Sequence, residues 1–183
     1  MKFEETKLAG SYLIDLEPYN DERGWFARTY SKDEFTKTGF DGEWVQLNHS
    51  FTKQAGTVRG MHYQLPPFAE IKLVRCIAGR VFDVMIDLRK DSPTFLQWYG
   101  VELSAENKKM VYIPKGFAHG FETLCEDCEL MYHHSDFYQP DSEGGIRYDD
   151  PLVNIQWPSE VISISVRDSA HPYLAKNFEG LKI

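Results

Sequence analysis

Val81-Phe82-Asp83-Val84-Met85-Ile86-Asp87-Leu88 sets the class of fold. Its period is two: Phe82, Val84, Ile86 and Leu88 share one face and Asp83 and Asp87 the other, the pattern of a β-strand. Gly79 precedes it and Asp91-Ser92-Pro93 follows, both turn chemistry. Similar short runs recur on either side: Trp44 to Asn48, Thr57 to Gln64, Ile71 to Ala78, Gln97 to Leu103, Met110 to Ile113, Gly120 to Leu124, Glu129 to Ser135 and Val161 to Val166. The best helical pattern, Lys32 to Lys37 around Phe35, is one or two turns long. Asp149-Asp150-Pro151 and Trp157-Pro158 break up residues 139–160, which read as an irregular excursion over one end of the β core. At roughly 20 residues it is long for a loop without a task. No repeat or composition break divides the chain. The expectation is an all-β sandwich or barrel in one domain, residues 1–183, with short helices and a weakly patterned tail from Ser169.

The chain has 183 residues, enough for a core that needs no staples. Lys and Arg number 20 against 28 Asp and Glu, a net charge of −8, which argues against bulk electrostatic binding to nucleic acid or an acidic membrane face. With 42% hydrophobic residues the chain is not disordered. No apolar run approaches the ~18 residues of a membrane span, and the acidic start Met1-Lys2-Phe3-Glu4-Glu5 lacks a secretory signal. A cytoplasmic location is expected. Three cysteines, Cys76, Cys125 and Cys128, are an odd count and suggest reduced thiols. Cys125-Glu126-Asp127-Cys128 lacks the context of a redox or zinc motif and reads as a loop or strand-end pair.

Polar residues inside strand patterns come next, because burying them is costly unless they are paired or used. His62 has the parity of Val58, Gly60 and Gln64; Lys72 that of Val74 and Cys76; Tyr132 that of Leu130 and His134. Asp168 ends a run whose even positions are Ile162, Ile164 and Val166. If those faces point inward, a base, a cation, a phenol and a carboxylate converge in one barrel. Each alone has an ordinary structural explanation.

Ile113-Pro114-Lys115-Gly116-Phe117-Ala118-His119-Gly120 is more specific. Its P-x-G-x-x-H resembles the second cupin motif, in which a fixed turn is followed by a histidine that starts a strand and points into the barrel. The first cupin motif offers H-x-H and a Glu as metal ligands; here the matching place reads His62-Tyr63-Gln64. A three- or four-ligand set is not evident, so a double-stranded β-helix (cupin, jelly-roll) barrel working without metal is expected.

Longer stretches carry a closer resemblance. Asp21-Glu22-Arg23-Gly24-Trp25-Phe26, Val45-Gln46-Leu47-Asn48-His49-Ser50, Val58-Arg59-Gly60-Met61-His62-Tyr63-Gln64, Lys72-Leu73-Val74-Arg75-Cys76, Leu103-Ser104-Ala105-Glu106-Asn107-Lys108 and Gly145-Ile146-Arg147-Tyr148-Asp149-Asp150-Pro151 together resemble the dTDP-4-dehydrorhamnose 3,5-epimerase family, from about residue 3 to 168. The resemblance implies a cupin homodimer whose N-terminal strands pair with the partner's sheet, a dTDP-linked 4-keto-6-deoxyhexose as substrate, and no cofactor.

A ketone at C4 acidifies the C3 and C5 protons through an enolate. Epimerisation then needs a base on one face, an acid on the other and a donor for the enolate oxygen. The resemblance supports His62 as base, Asp168 as its partner, Lys72 as oxyanion donor and Tyr132 as acid. It points to Arg23 and Arg59 for the diphosphate, to Gln46 and Asn48 as neutral donors, and to His119 and Glu143 nearer the sugar. Arg167 stands where the family usually has Lys; Phe26 and Tyr138 suit the thymine or the sugar pocket. Strict alternation sets Arg59 opposite His62 unless a bulge at Gly60 intervenes. Arg28, Glu70-Ile71 and His133 depart from the family pattern and bear on which carbon is inverted. A C3-only epimerase, a metal-dependent cupin enzyme using His62 and His119, and a non-catalytic sugar-binding cupin are the other readings.

Overall fold

The computed structural model describes residues 1–183. Its elements are β1 (Lys2–Glu5), β2 (Tyr12–Asp15), β3 (Tyr19–Asp21), β4 (Gly24–Phe26), helix α1 (Lys32–Phe35), β5 (Gln46–Thr52), β6 (Thr57–Gln64), β7 (Lys72–Ala78), β8 (Arg80–Asp87), β9 (Trp98–Ser104), β10 (Met110–Ile113), β11 (Phe117–Thr123), β12 (Cys128–His134), β13 (Glu143–Gly145), β14 (Ser163–Ile164) and helix α2 (Val166–Ser169). One sheet has the order β1-β2-β10-β7-β12-β5. A second has the order β13-β6-β11-β8-β9, with β14 alongside β6. The sheets face each other as the double-stranded β-helix of a cupin. No helix is long and apolar enough to cross a membrane.

The β8 stretch is buried on both faces, not the half-buried strand its alternation suggests. Val81 and Met85 join Phe117, Phe121, Val74, Leu130 and Val111 between the sheets. Val84, Ile86 and Leu88 face outward, yet Ile146, Val153 and Ile155 cover them, with Trp157, Leu174, Phe178 and Leu181 at the margin. Residues 139–160 and the tail therefore lie across the outer face of the second sheet, not over one end of the core. Their spacing has no period because the segment drops apolar side chains onto a sheet without being a strand. A third cluster seats Phe35 and Phe40 against Ile14, Leu73, Met110 and Tyr112 on the outer face of the first sheet.

Several boundaries move. The strand expected over Trp44 to Asn48 runs Gln46–Thr52, and the one expected from Gly120 already begins at Phe117, so His119 is its third residue. Val161 to Val166 keeps only the two residues of β14, and Asp168 sits on helix α2 rather than at a strand end. Ser165 explains the change: its Oγ accepts the Asp168 N–H at 3.0 Å, a helix N-cap. The N-terminal strands β1 and β2 pair with their own chain, β2 lying against β10. Only the β3–β4 hairpin stays outside both sheets.

Two glycines fix the path near the site. Gly116 has φ +81°, as the P-x-G turn requires. At Gly60, φ is +136° and a Cβ would stand 2.6 Å from the Gly120 Cα, so the strands meet there only as glycines. Beside it the β6–β11 register shifts: His119 pairs with His62, but Phe121 pairs with Arg59. Gly60 and Met61 of β6 thus oppose the single Gly120 of β11, a bulge that brings Arg59 and His62 to the same side.

Candidate active site

The sandwich interior changes character along its length. Aliphatic and aromatic residues fill one end. The other is a polar cavity of about 540 Å³. From the second sheet, β6 and β11 contribute Arg59, His62 and His119. From the first, β5, β7 and β12 contribute Asn48, Ser50, Lys72, Tyr132 and His134. Two opposed walls therefore carry different chemistry.

His62 Nε2 lies 2.8 Å from Asp168 Oδ1, which leaves Nδ1 as the free nitrogen. The other carboxylate oxygen, Oδ2, accepts the Gly60 N–H at 3.1 Å. Burial pushes the Asp168 carboxyl up, but the bond and charge of His62 and the N–H of Gly60 outweigh it. The net result lies below the usual carboxylate range. A second pair sits deeper: His119 Nε2 is 2.9 Å from Oδ2 of Asp83, which is fully buried.

On the facing wall, Tyr132 Oη shares a 3.0 Å hydrogen bond with Ser50 Oγ. Burial raises the phenol to about 12, opposed by Ser50 and the nearby Arg59 charge. Lys72 Nζ is 3.3 Å from Glu70 Oε1, while Glu70 Oε2 is 2.7 Å from His134 Nδ1. Burial raises the Glu70 carboxyl, and His134 and Lys72 more than reverse that. The cation is thus held in the wall by a buried carboxylate.

At the rim, Tyr138 Oη donates to Glu143 Oε2 at 2.8 Å, and Arg167 forms an ion pair with Glu143. Gln46 accepts the Tyr138 N–H at 3.2 Å and donates to Asn48 Oδ1 at 3.2 Å. A second cavity of about 620 Å³ adjoins the first through Arg59 and His62 and gathers Lys53, Arg167 and Asp168. Arg23 and Phe26 line neither cavity. Arg23 pairs with Asp21 at 2.5 Å on the β3–β4 turn, and Phe26 is 71% exposed. Of the departures from the family pattern, Ile71 packs on the outer aromatic cluster and His133 meets the Trp44 ring at 5.9 Å, both away from the cavity. Arg28 reaches Glu34 at 3.5 Å.

Sequence reasoning missed Ser50, Glu70, Asp83, His134 and His171. Asp83 had a signal, an acid inside an otherwise apolar strand, and His134 had the parity of Tyr132. Glu70 was marked only as a departure from the family pattern beside Lys72, and His171, outside any strand, gave no signal. His171 follows α2; its Nε2 is buried without a hydrogen bond, 3.9 Å from Asp168 Oδ1, and its ring is 5.7 Å from that of His62. Burial and the neighbouring His62 lower its basicity.

Fold and site define a cupin whose polar cavity carries a histidine–aspartate pair on one wall and a tyrosine and a lysine on the other. The family model for dTDP-4-dehydrorhamnose 3,5-epimerase matches residues 5–176, and the chain belongs to that family. It is 44% identical over 172 residues, 93% of each chain, to the dTDP-4-dehydrorhamnose 3,5-epimerase of Salmonella typhimurium. The dTDP-4-dehydrorhamnose 3,5-epimerase of Bacillus anthracis, solved with TDP and PPi bound, superposes with a TM-score of 0.91 at 39% identity, covering 94% of this chain and 99% of that one. The dTDP-6-deoxy-D-glucose-3,5-epimerase of Legionella pneumophila, in complex with dTDP-4-keto-L-rhamnose, gives 0.89 at 41% identity, covering 94% and 92%.

Proposed function

We propose that this chain is a one-domain cytoplasmic isomerase that converts dTDP-4-dehydro-6-deoxy-D-glucose to dTDP-4-dehydro-L-rhamnose. It inverts C3 and C5 by side-chain acid–base chemistry. The observation that carries this reading is the opposition of His62, backed by Asp168, to Tyr132 across one cavity. A sugar ring between the sheets offers one face to each.

His62 Nδ1 takes the C3 proton. The C–H electron pair moves into the C3–C4 bond and the carbonyl pair onto oxygen, giving an enolate. Asp168 stabilises the imidazolium. Lys72 holds the enolate oxygen; its charge is already fixed by Glu70, so little reorganisation is needed at the moment of reaction. The enolate collapses to the ketone as carbon takes the Tyr132 phenolic proton from the opposite face. The Arg59 charge favours the tyrosinate left behind. Solvent restores both groups, and the cycle repeats at C5. Positioned acids and bases are worth ~10²–10⁴-fold each.

Arg59 and Arg167, with Lys53, suit the diphosphate beside His62. The chain acts as a homodimer. Leu47 and Phe51, each 56% exposed, stand on edge strand β5 where the two cavities open, and the β3–β4 hairpin exposes Tyr19 and Phe26. A second copy laying its hairpin along that edge would bring the partner's Arg23 and the partner's Phe26 toward this cavity.

Incubation with dTDP-4-dehydro-6-deoxy-D-glucose and NMR of the product tests the reaction. Inversion at both carbons supports it, and inversion at C3 alone would make the chain a 3-epimerase. Sedimentation tests assembly: wild type should be a dimer and Phe51→Glu a monomer.

A further inference from the structure

We propose that His62, Asp168 and His171 form a binding site for a divalent transition-metal ion of the zinc class, and that the ion switches the enzyme off. Two imidazole nitrogens and one carboxylate oxygen all lie within 4.8 Å of one another. Asp168 Oδ1 is the shared corner, 2.8 Å from His62 Nε2 and 3.9 Å from His171 Nε2. Tetrahedral zinc at bond lengths of ~2.0–2.2 Å wants donors about 3.3 Å apart. The first contact opens by a few tenths of an ångström and the second closes by a similar amount, both within reach of a χ rotation.

Three features mark this as a site rather than a chance meeting. The His171 Nε2 is buried and has no hydrogen bond, so a ligand-quality nitrogen points at the carboxylate unused. Its ring lies on Gly145, the residue paired with His62 across β13 and β6; a Cβ there would fall 2.3 Å from the ring. The opposite oxygen of Asp168 is anchored by the Gly60 N–H, the outer support that orients a metal ligand. Two nitrogens and one carboxylate are a donor set for zinc, copper or nickel rather than for calcium or magnesium. His62 and Asp168 border the open cavities, so an ion has a way in.

The ion replaces the proton shared by His62 and Asp168. A neutral imidazole keeps one N–H, so as Nε2 binds the metal the ring proton moves to Nδ1, the nitrogen that would otherwise take the C3 proton. His62 then cannot become an imidazolium stabilised by Asp168. The inhibition rests on His62 being the base in the proposed reaction; the metal site does not.

Chelator-treated protein titrated with cobalt(II), followed by its visible ligand-field band, tests the site without reference to activity. One ion per chain with the intense band of low coordination is expected, displaced by zinc. His171→Asn and His171→Gln should weaken cobalt binding at least ~10-fold, while Cys125→Ser/Cys128→Ser should leave it unchanged. Without metal, both His171 variants should epimerise normally and resist zinc concentrations that stop the wild type. A weak, octahedral-type band, or a band surviving in both His171 variants, overturns the proposal. So does a sulfur-to-cobalt transition lost in the cysteine variant, which would place the ion on Cys125 and Cys128. If cobalt binds as described but the wild type epimerises nothing, the site stands and the proposed function fails.

Discussion

Replacing Asp168 by Asn keeps the side chain's shape and removes its charge. Two donors converge on the native carboxylate, His62 Nε2–H at 2.8 Å and the Gly60 N–H at 3.1 Å. An amide has a single acceptor oxygen, so one donor is left facing an NH₂ group. In a side chain only 7% exposed, that loss should destabilise the fold by ~1–3 kcal/mol. The catalytic loss is larger. Opposite charges centred about 4 Å apart at an effective dielectric of about 20 attract by ~4 kcal/mol, and the transition state in which His62 becomes cationic forfeits most of it. At 1.36 kcal/mol per decade, kcat should fall by ~10²–10³, with KM changed little because Asp168 does not bind the sugar. Steady-state kinetics, with circular dichroism to verify folding, read both numbers. A well-folded Asp168→Asn enzyme within threefold of wild type would refute the dyad argument.

Other perturbations separate the remaining parts. Tyr132→Phe loses one hydrogen bond, to Ser50, so stability should change by about 1 kcal/mol. Solvent exchange on the His62 side should continue while inverted product falls ~10²-fold; equal loss of both would remove Tyr132 from the acid role. Lys72→Met leaves Glu70, 8% exposed, facing only His134, and should lower stability by ~3 kcal/mol, measured by denaturant melts. Adding Glu70→Gln should recover most of the stability and none of the activity. The pair with His62 depresses the Asp168 carboxyl below its ordinary 3.8, so its stabilisation is complete above that value and is lost as pH falls through the lower folded value. The stability gap between wild type and Asp168→Asn should narrow as the pH falls below about 3.8. Arg59→Ala should raise KM more than it lowers kcat; an unchanged KM would place the diphosphate elsewhere.

Much of this site was legible because strands advertise their faces. His62, Lys72 and Tyr132 each shared parity with apolar neighbours, and the structure sets all three on the cavity. Arg59 was legible only through the bulge at Gly60. What escaped the sequence obeys no period of two. Asp168 was named from a strand parity that the structure replaces with a one-turn helix capped by Ser165, while Glu70 supports Lys72 and His171 lies beside Asp168 from segments between elements. The β8 alternation suggested a wet face because Asp83 and Asp87 are acids. Both are fully buried, Asp83 on His119 and Asp87 on Arg89, Ser92 and Thr94. Strand β1 escaped because isolated Phe3 among charged residues carries too little alternation, although β2 then seats it in the sheet.

The central claim is that His62 removes protons next to a ketone. Its most direct test is NMR of dTDP-4-dehydro-6-deoxy-D-glucose incubated with wild type and His62→Ala in D₂O. Deuterium should enter C3 and C5 with wild type and neither carbon with the folded variant. Exchange in His62→Ala at the wild-type rate, or none at either carbon with wild type, would contradict the account.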